Sequence, residues 1–148
     1  MKASVLFAGV LALSALPVFA ADDPIAVRKA LMGGMGGAAG LTAGVMKGEL
    51  DYSPAIGKAA ISTAAAVAAA YPDFFPEGSG EGDTTAAPAI WEDPEGFAEE
   101  IGKLQEATTA ALEVSGRNGP ADAESFTEAM KPVLGTCKGC HENYRIEK

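Results

Sequence analysis

Near its C-terminus the 148-residue sequence reads Cys137-Lys138-Gly139-Cys140-His141. This C-x-x-C-H spacing is the attachment signature of c-type haem, in which two thiolates add to the haem vinyl groups and the histidine ligates the iron. On a helix with about 3.6 residues per turn, the two cysteines and the histidine share one face. The stretch therefore predicts a helix that carries one covalent haem c through Cys137 and Cys140, with His141 as an axial iron ligand.

Three other kinds of site use the same residue types. A thioredoxin-like thiol pair needs a βαβ context, and no strand-like run precedes Cys137. A structural zinc site needs four ligands, so the two cysteines and single histidine of the chain would require a carboxylate such as Glu142. A disulfide between the cysteines suits an oxidising compartment but leaves His141 without a role. Haem is the leading interpretation.

The first twenty residues have the pattern of a signal peptide. Lys2 precedes an apolar run over residues 5–16, and Val18-Phe19-Ala20 matches a signal peptidase site. We predict cleavage after Ala20, which leaves residues 21–148 as one exported domain. The apolar run is shorter than the roughly 20 residues of a membrane helix, and we expect no membrane span after cleavage. An uncleaved anchor is the alternative.

The charge balance is strongly acidic. Without Lys2 the chain has 20 acidic residues against 10 basic ones, a net charge of −10. Such a charge repels nucleic acid, which we do not expect as a partner. It attracts basic patches on other proteins at low salt, although it also serves solubility. We therefore expect redox partner proteins with basic patches.

A repeated pair of an N-cap residue and a proline divides the rest of the sequence. Three such pairs mark helix starts: Asp23-Pro24, Ser53-Pro54 and Asp93-Pro94. The apolar spacing then predicts helices over residues 24–47, 54–71, 94–114 and 121–145. The expected fold is all-α, an antiparallel four-helix bundle with one long crossover loop, residues 72–93, between helices 2 and 3.

Pro132 complicates the predicted fourth helix. A proline in a helix interior removes a backbone hydrogen bond and kinks or splits the helix. We expect one bent helix, with a break near Lys131 as the alternative.

With these elements the chain resembles class II cytochrome c, the cytochrome c′ family, whose members are exported four-helix bundles with haem attached near the C-terminus. The resemblance rests on the haem motif continued to Arg145, on Arg28, on Phe75-Pro76-Glu77-Gly78 and on Ala89-Ile90-Trp91. It implies that His141 is the proximal ligand, that Arg145 lies beside it, and that Arg28 and Trp91 lie near the haem. An arginine fork also suits the haem propionates, although a solvated Arg28 is the alternative. The resemblance implies the periplasm of a Gram-negative bacterium.

The sixth iron position separates two functions. The resemblance implies that cytochrome c′ proper leaves the sixth iron position open and so binds small gases. In those proteins an apolar residue covers the position, four residues after the arginine that corresponds to Arg28. Here that position holds Met32, whose thioether can ligate iron and raise the reduction potential, as in the low-spin methionine-ligated branch of the family. At about 1.5 Å per residue, Met32 and His141 lie at the same end of an antiparallel bundle. Met35, one turn from Met32, is the rival ligand.

The leading hypothesis is a periplasmic one-electron carrier with His141 and Met32 as axial ligands, and not an enzyme. One alternative is a five-coordinate haem protein that binds nitric oxide or carbon monoxide, with Met32 as a pocket wall. Another is a haem-free thiol oxidoreductase that uses Cys137 and Cys140. The glycine- and alanine-rich first two helices suit a homodimer, but a monomer is equally consistent.

Overall fold

In the computed structural model the described residues, 23–147, form five α-helices. In chain order they are α1 (Pro24–Met46), α2 (Pro54–Ala70), α3 (Ala89–Glu92), α4 (Pro94–Ser115) and α5 (Ala123–Tyr144). None of these helices is both long and apolar enough to cross a bilayer. The predicted signal peptide, residues 1–20, lies outside the described residues and stays a prediction.

The three predicted helix starts are confirmed, each with its proline at the first helical position. The preceding side chain accepts a backbone N–H three positions on: Asp23 from Ala26 at 3.0 Å, Ser53 from Ile56 at 3.3 Å, and Asp93 from Gly96 at 3.1 Å. The fourth long helix, α5, starts two residues later than predicted. Its N-cap is Asp122, whose carboxylate accepts the Ser125 N–H at 2.8 Å.

The four long helices form the predicted antiparallel four-helix bundle. Helices α1 and α4 each pack against both α2 and α5. The main core between them is built from small and medium apolar side chains with one large ring: Met35, Ala38, Val45, Ala60, Ile61, Ala64, Val67, Ala111, Phe126, Met130 and Val133. Three alanines of α2, Ala60, Ala64 and Ala68, are almost completely buried between the helices.

The predicted crossover loop is partly helical. A 3₁₀ turn, Tyr71–Phe74, follows α2, and the one-turn helix α3 precedes α4, so the irregular segment is confined to residues 75–88. Helix α3 packs against α4 and α5. It brings Ile90 into a second apolar cluster with Phe97, Ile101 and Tyr144. The crossover is therefore fastened to the body of the bundle at one end.

Pro132 lies inside α5, which continues through it without interruption. The continuity of the expected helix is confirmed, its bend stays a prediction, and the alternative of a break near Lys131 is wrong. Met130 and Val133, on either side of the proline, are almost completely buried in the main core. Their packing offsets the hydrogen bond that the proline removes.

Candidate haem-binding site

A cavity of about 660 Å³ lies between α1, α4, α5 and the crossover. Its volume falls within the range of about 300–1,000 Å³ that is common for ligand and cofactor pockets. Most of its wall is apolar or aromatic, including Ile25, Met32, Met35, Phe75, Ile90, Phe97, Ile101 and Leu104. Charged side chains enter it at few points. Such a pocket suits a large, flat, mainly apolar group.

All three chemical groups of the C-x-x-C-H motif line this cavity from α5. Cys137 and Cys140 are free thiols, so the short disulfide considered above is not formed. Burial raises the pKa of the Cys137 thiol, and burial, followed by the charges of Glu100 and Cys137, raises the pKa of Cys140 to about 11. Redox-active cysteines need a lowered thiol pKa, so these shifts argue against a thiol oxidoreductase.

His141 is the only imidazole of the chain, and it faces both the cavity and solvent. Partial burial, and then the nearby Arg145 cation, lower the pKa of this imidazole. The neutral form that results is the one that binds a metal ion. Arg145 is the C-cap residue of α5 and also lines the cavity. Its predicted place in the haem surroundings stays a prediction.

Two methionines reach the cavity from α1, namely Met32 and Met35. Met35 is only 8% exposed and belongs to the main core, whereas Met32 is partly buried and packs against the edge of that core. Met46 is 46% exposed and Met130 is buried in the core, and neither lines the cavity. The structure therefore brings the predicted ligand Met32, its rival Met35 and His141 to one site.

Arg28 lines the cavity and is only 4% exposed, which excludes the alternative of a solvated arginine. One guanidinium nitrogen donates to the Phe74 carbonyl at 3.0 Å and to Ser79 Oγ at 2.9 Å. The other donates to the Ser79 carbonyl at 2.7 Å, and the group lies 4.7 Å from the centre of the Phe75 ring. Arg28 thus fastens the crossover to α1. Its predicted contact with haem propionates stays a prediction.

Trp91, on α3, does not line the cavity. Its indole N–H donates to the carbonyls of Phe75 and Pro76, both at 3.3 Å. Its ring lies so close to Gly80 that a Cβ on that glycine would come within 2.9 Å of it. These contacts fix the turn from which Phe75 reaches the cavity. The predicted place of Trp91 near the haem stays a prediction.

Sequence reasoning missed two parts of the wall. Tyr71, Phe75, Phe97 and Tyr144 form a chain of ring contacts with centroid separations of 5.0, 4.9 and 5.3 Å. All four line the cavity, but only the tertiary fold brings them together. Glu100 also lines it. The available signal was its position on the same helical face as Phe97, where a carboxylate interrupts an apolar stripe.

The sequence model of the family described as Cytochrome C′ matches residues 23–145, from the cap of α1 to Arg145. This span contains Arg28, Met32 and the whole haem motif. The chain belongs to the cytochrome c′ family. Its cofactor is therefore the predicted covalent haem c, and two thiols, an imidazole and an apolar wall in one cavity fit that group.

Individual members of the cytochrome c′ family match almost the full length of the chain. Cytochrome c-556 of Agrobacterium fabrum is 38% identical over 131 residues, which cover 88% of this chain and 86% of the relative. Cytochrome c′ of Rhodopseudomonas palustris is 35% identical over 142 residues, covering 95% and 94%. A solved structure of cytochrome c′ from Rhodopseudomonas palustris has a TM-score of 0.75 and 36% identity, covering 85% of this chain and 98% of that one. The four-helix bundle is thus the family's fold.

Proposed function

We propose that this chain is a periplasmic one-electron carrier whose haem iron is held by His141 and Met32. The observation that carries the proposal is that Met32, from α1, and His141, from α5, line the same cavity. Imidazole with thioether is the ligand pair of electron-transfer cytochromes with a raised reduction potential. Met32 follows Arg28 by one helical turn, so the clamp on the crossover also supports the segment that carries the thioether.

The chain supplies attachment, ligands and a dry wall. Haem, when bound, supplies one-electron Fe(II)/Fe(III) chemistry. Cys137 and Cys140 would hold it through thioether bonds, and the aromatic wall built around Phe75 and Phe97 would exclude water. Electron transfer requires no nucleophile and no proton donor at a substrate. We therefore propose an electron-transfer protein and not an enzyme.

The acidic charge and the N-terminal pattern support the cellular part of the proposal. The full sequence has 20 acidic and 11 basic residues. This acidic charge attracts redox partners with basic patches over long range and repels nucleic acid. The predicted signal peptide supports export to the periplasm. Monomer and homodimer both remain consistent with the sequence of α1 and α2.

A second candidate function is gas binding at a five-coordinate haem, with Met32 as an apolar wall of the pocket. Relatives named cytochrome c′ favour this candidate over methionine ligation. The family resemblance implies that the haem iron of cytochrome c′ proper has an open sixth coordination position. The residue Met32 favours the first candidate. Both use the same cavity and the same attachment to α5, so only the sixth position separates them.

Absorption spectra of the purified haem protein test the proposal. A methionine–iron charge-transfer band in the ferric protein, and a ferrous spectrum that carbon monoxide does not change, are expected for the electron carrier. A high-spin spectrum that shifts when carbon monoxide is added would support the gas-binding candidate instead. A purified protein without a Soret band would contradict both.

A further inference from the structure

Glu100 is the only carboxylate among the described residues that line the haem cavity. It lies on α4 between Phe97 and Ile101, and its side chain is only 15% exposed. Its Oε1 accepts a hydrogen bond from Lys103 Nζ at 2.5 Å, and the lysine side chain is 58% exposed. A negative charge is therefore held at the inner wall, with its counter-charge on the solvent side.

The Glu100 carboxylate also lies against the attachment motif. A Cβ on Gly139, the glycine of C-x-x-C-H, would come within 3.1 Å of Glu100 Oε2. The missing side chain at this position thus lets the carboxylate approach the backbone of α5 between the two cysteines. The charge of Glu100 therefore lies beside the point of attachment.

The other charged side chains of the cavity wall are cations. Arg28 is satisfied by the crossover, Lys29 forms an exposed pair with Asp83 at 2.6 Å, and Arg145 lies at the end of α5. A fixed anion near a redox centre stabilises the oxidised state, which carries one more positive charge, and therefore lowers the reduction potential. Exposed charges have a much smaller effect, because water and salt screen them.

We propose that Glu100 lowers the reduction potential of the haem, and that Lys103 moderates this effect as its counter-charge. The inference rests on haem-based electron transfer and not on which residue fills the sixth position. Glu100 lies against Gly139 of the motif and is not one of the predicted iron ligands, so it would act through the electric field.

The test compares Glu100→Gln with Glu99→Gln in the haem-loaded protein. Both variants remove one negative charge from the same stretch of α4, but Glu99 is exposed. Midpoint potentials are measured by optical redox titration at low and high salt. Glu100→Gln is expected to raise the potential by at least twice the shift of Glu99→Gln, with most of its shift retained at high salt and an unchanged absorption spectrum. Equal shifts, or a shift that accompanies a changed axial-ligand spectrum, would overturn the inference.

Lys103→Gln is a second, independent variant that tests the inference even if Glu100→Gln does not fold. It leaves the carboxylate without its counter-charge, so the potential is expected to fall. An unchanged or raised potential would overturn the inference. A wild-type protein without a reversible haem couple would instead contradict the proposed function. A reversible wild-type couple with equal Glu99 and Glu100 shifts would remove only the role of Glu100.

Discussion

The hydroxyl of Tyr144 donates to Asp93 Oδ2 at 2.9 Å, so the last residue of α5 is tied to the N-cap of α4. The other oxygen of the same carboxylate accepts the Gly96 N–H at 3.1 Å. One side chain therefore caps a helix and fixes the end of the helix that carries the haem motif. Tyr144 is buried among Ile90, Phe97 and Ile101, and it also lines the cavity.

Tyr144→Phe is expected to destabilise the protein by about 0.5–1.5 kcal/mol, because a half-buried hydrogen bond to Asp93 is lost while the ring packing is kept. Urea unfolding followed by circular dichroism measures this loss. In a double-mutant cycle with Asp93→Ala, the double variant should lose less stability than the sum of the two single losses. Additive effects of the two substitutions would mean that the bond contributes nothing to stability.

Met32→Ala and Met35→Ala should separate the two candidate ligands. Met32→Ala is expected to abolish the methionine–iron charge-transfer band and to allow carbon monoxide to bind the ferrous haem. Met35→Ala should keep the band but destabilise the protein by about 2–5 kcal/mol, because Met35 belongs to the main core. Absorption spectra and urea unfolding provide both measurements. Loss of the band in Met35→Ala alone would identify Met35 as the ligand.

Arg28→Met is expected to loosen the crossover. The substitution removes three hydrogen bonds to Phe74 and Ser79 and should cost at least about 2 kcal/mol, because charge-assisted bonds to buried groups are lost. Limited proteolysis with mass spectrometry should show faster cleavage within residues 75–88. Lys29→Met is the control, since its exposed ion pair with Asp83 contributes under about 1 kcal/mol. Equal cleavage rates in both variants would show that Arg28 does not fasten the segment.

Ser115→Ala is expected to leave stability unchanged or to raise it by up to about 1 kcal/mol. Among residues 23–147, Ser115 Oγ is the one buried side-chain oxygen or nitrogen without a hydrogen-bond partner. Removing such a group relieves a desolvation penalty. Thr108→Val, which removes a buried hydroxyl bonded to the Leu104 carbonyl at 2.9 Å, should instead destabilise the protein. Thermal unfolding of both variants checks the contrast, and a large loss in Ser115→Ala would contradict it.

Asp122 links helix capping to acid stability. Hydrogen bonds from the backbone and hydroxyl of Ser125 lower the pKa of the Asp122 carboxyl from its usual 3.8. A lowered folded pKa adds stability above the usual value, and that stability is lost as the pH falls through the lowered value. Asp122→Asn keeps a capping oxygen but does not titrate, so its urea midpoint should fall less than that of the wild type on acidification below pH about 4. Identical pH dependences would refute this link.

The helices and the attachment motif could be predicted because their signals are local. Each N-cap and proline pair acts within one turn, and the C-x-x-C-H spacing needs only the geometry of one helix. The irregular part of the crossover and α3 could not be resolved this way, since a four-residue helix is too short to show a period. The position of α3 depends on the packing of Ile90, and that of the irregular segment depends on the hydrogen bonds from Arg28. Both sets of contacts join residues that are far apart in the sequence.

The charged groups of the site were predicted only in part. Arg28 was assigned to the haem surroundings, but its partners lie 46 and 51 positions away and depend on how the crossover turns. The helical position of Glu100 places a carboxylate on a buried face, but its approach to Gly139 could not be predicted, because it arises from the packing of α4 on α5. Sequence patterns identify which face of a helix is buried, but not which neighbour a polar group on that face will meet.

The cavity wall runs from Ile25 on α1 to Arg145 at the end of α5, and α4 and the crossover supply the parts between them. Synthesis proceeds from the N-terminus, so Cys137, Cys140 and His141 on α5 are made after all the other helices that line the cavity. The pocket therefore has no cysteine for attachment until α5 has been made. A chain shortened before α5 would keep walls from α1, α4 and the crossover but could not hold the haem covalently.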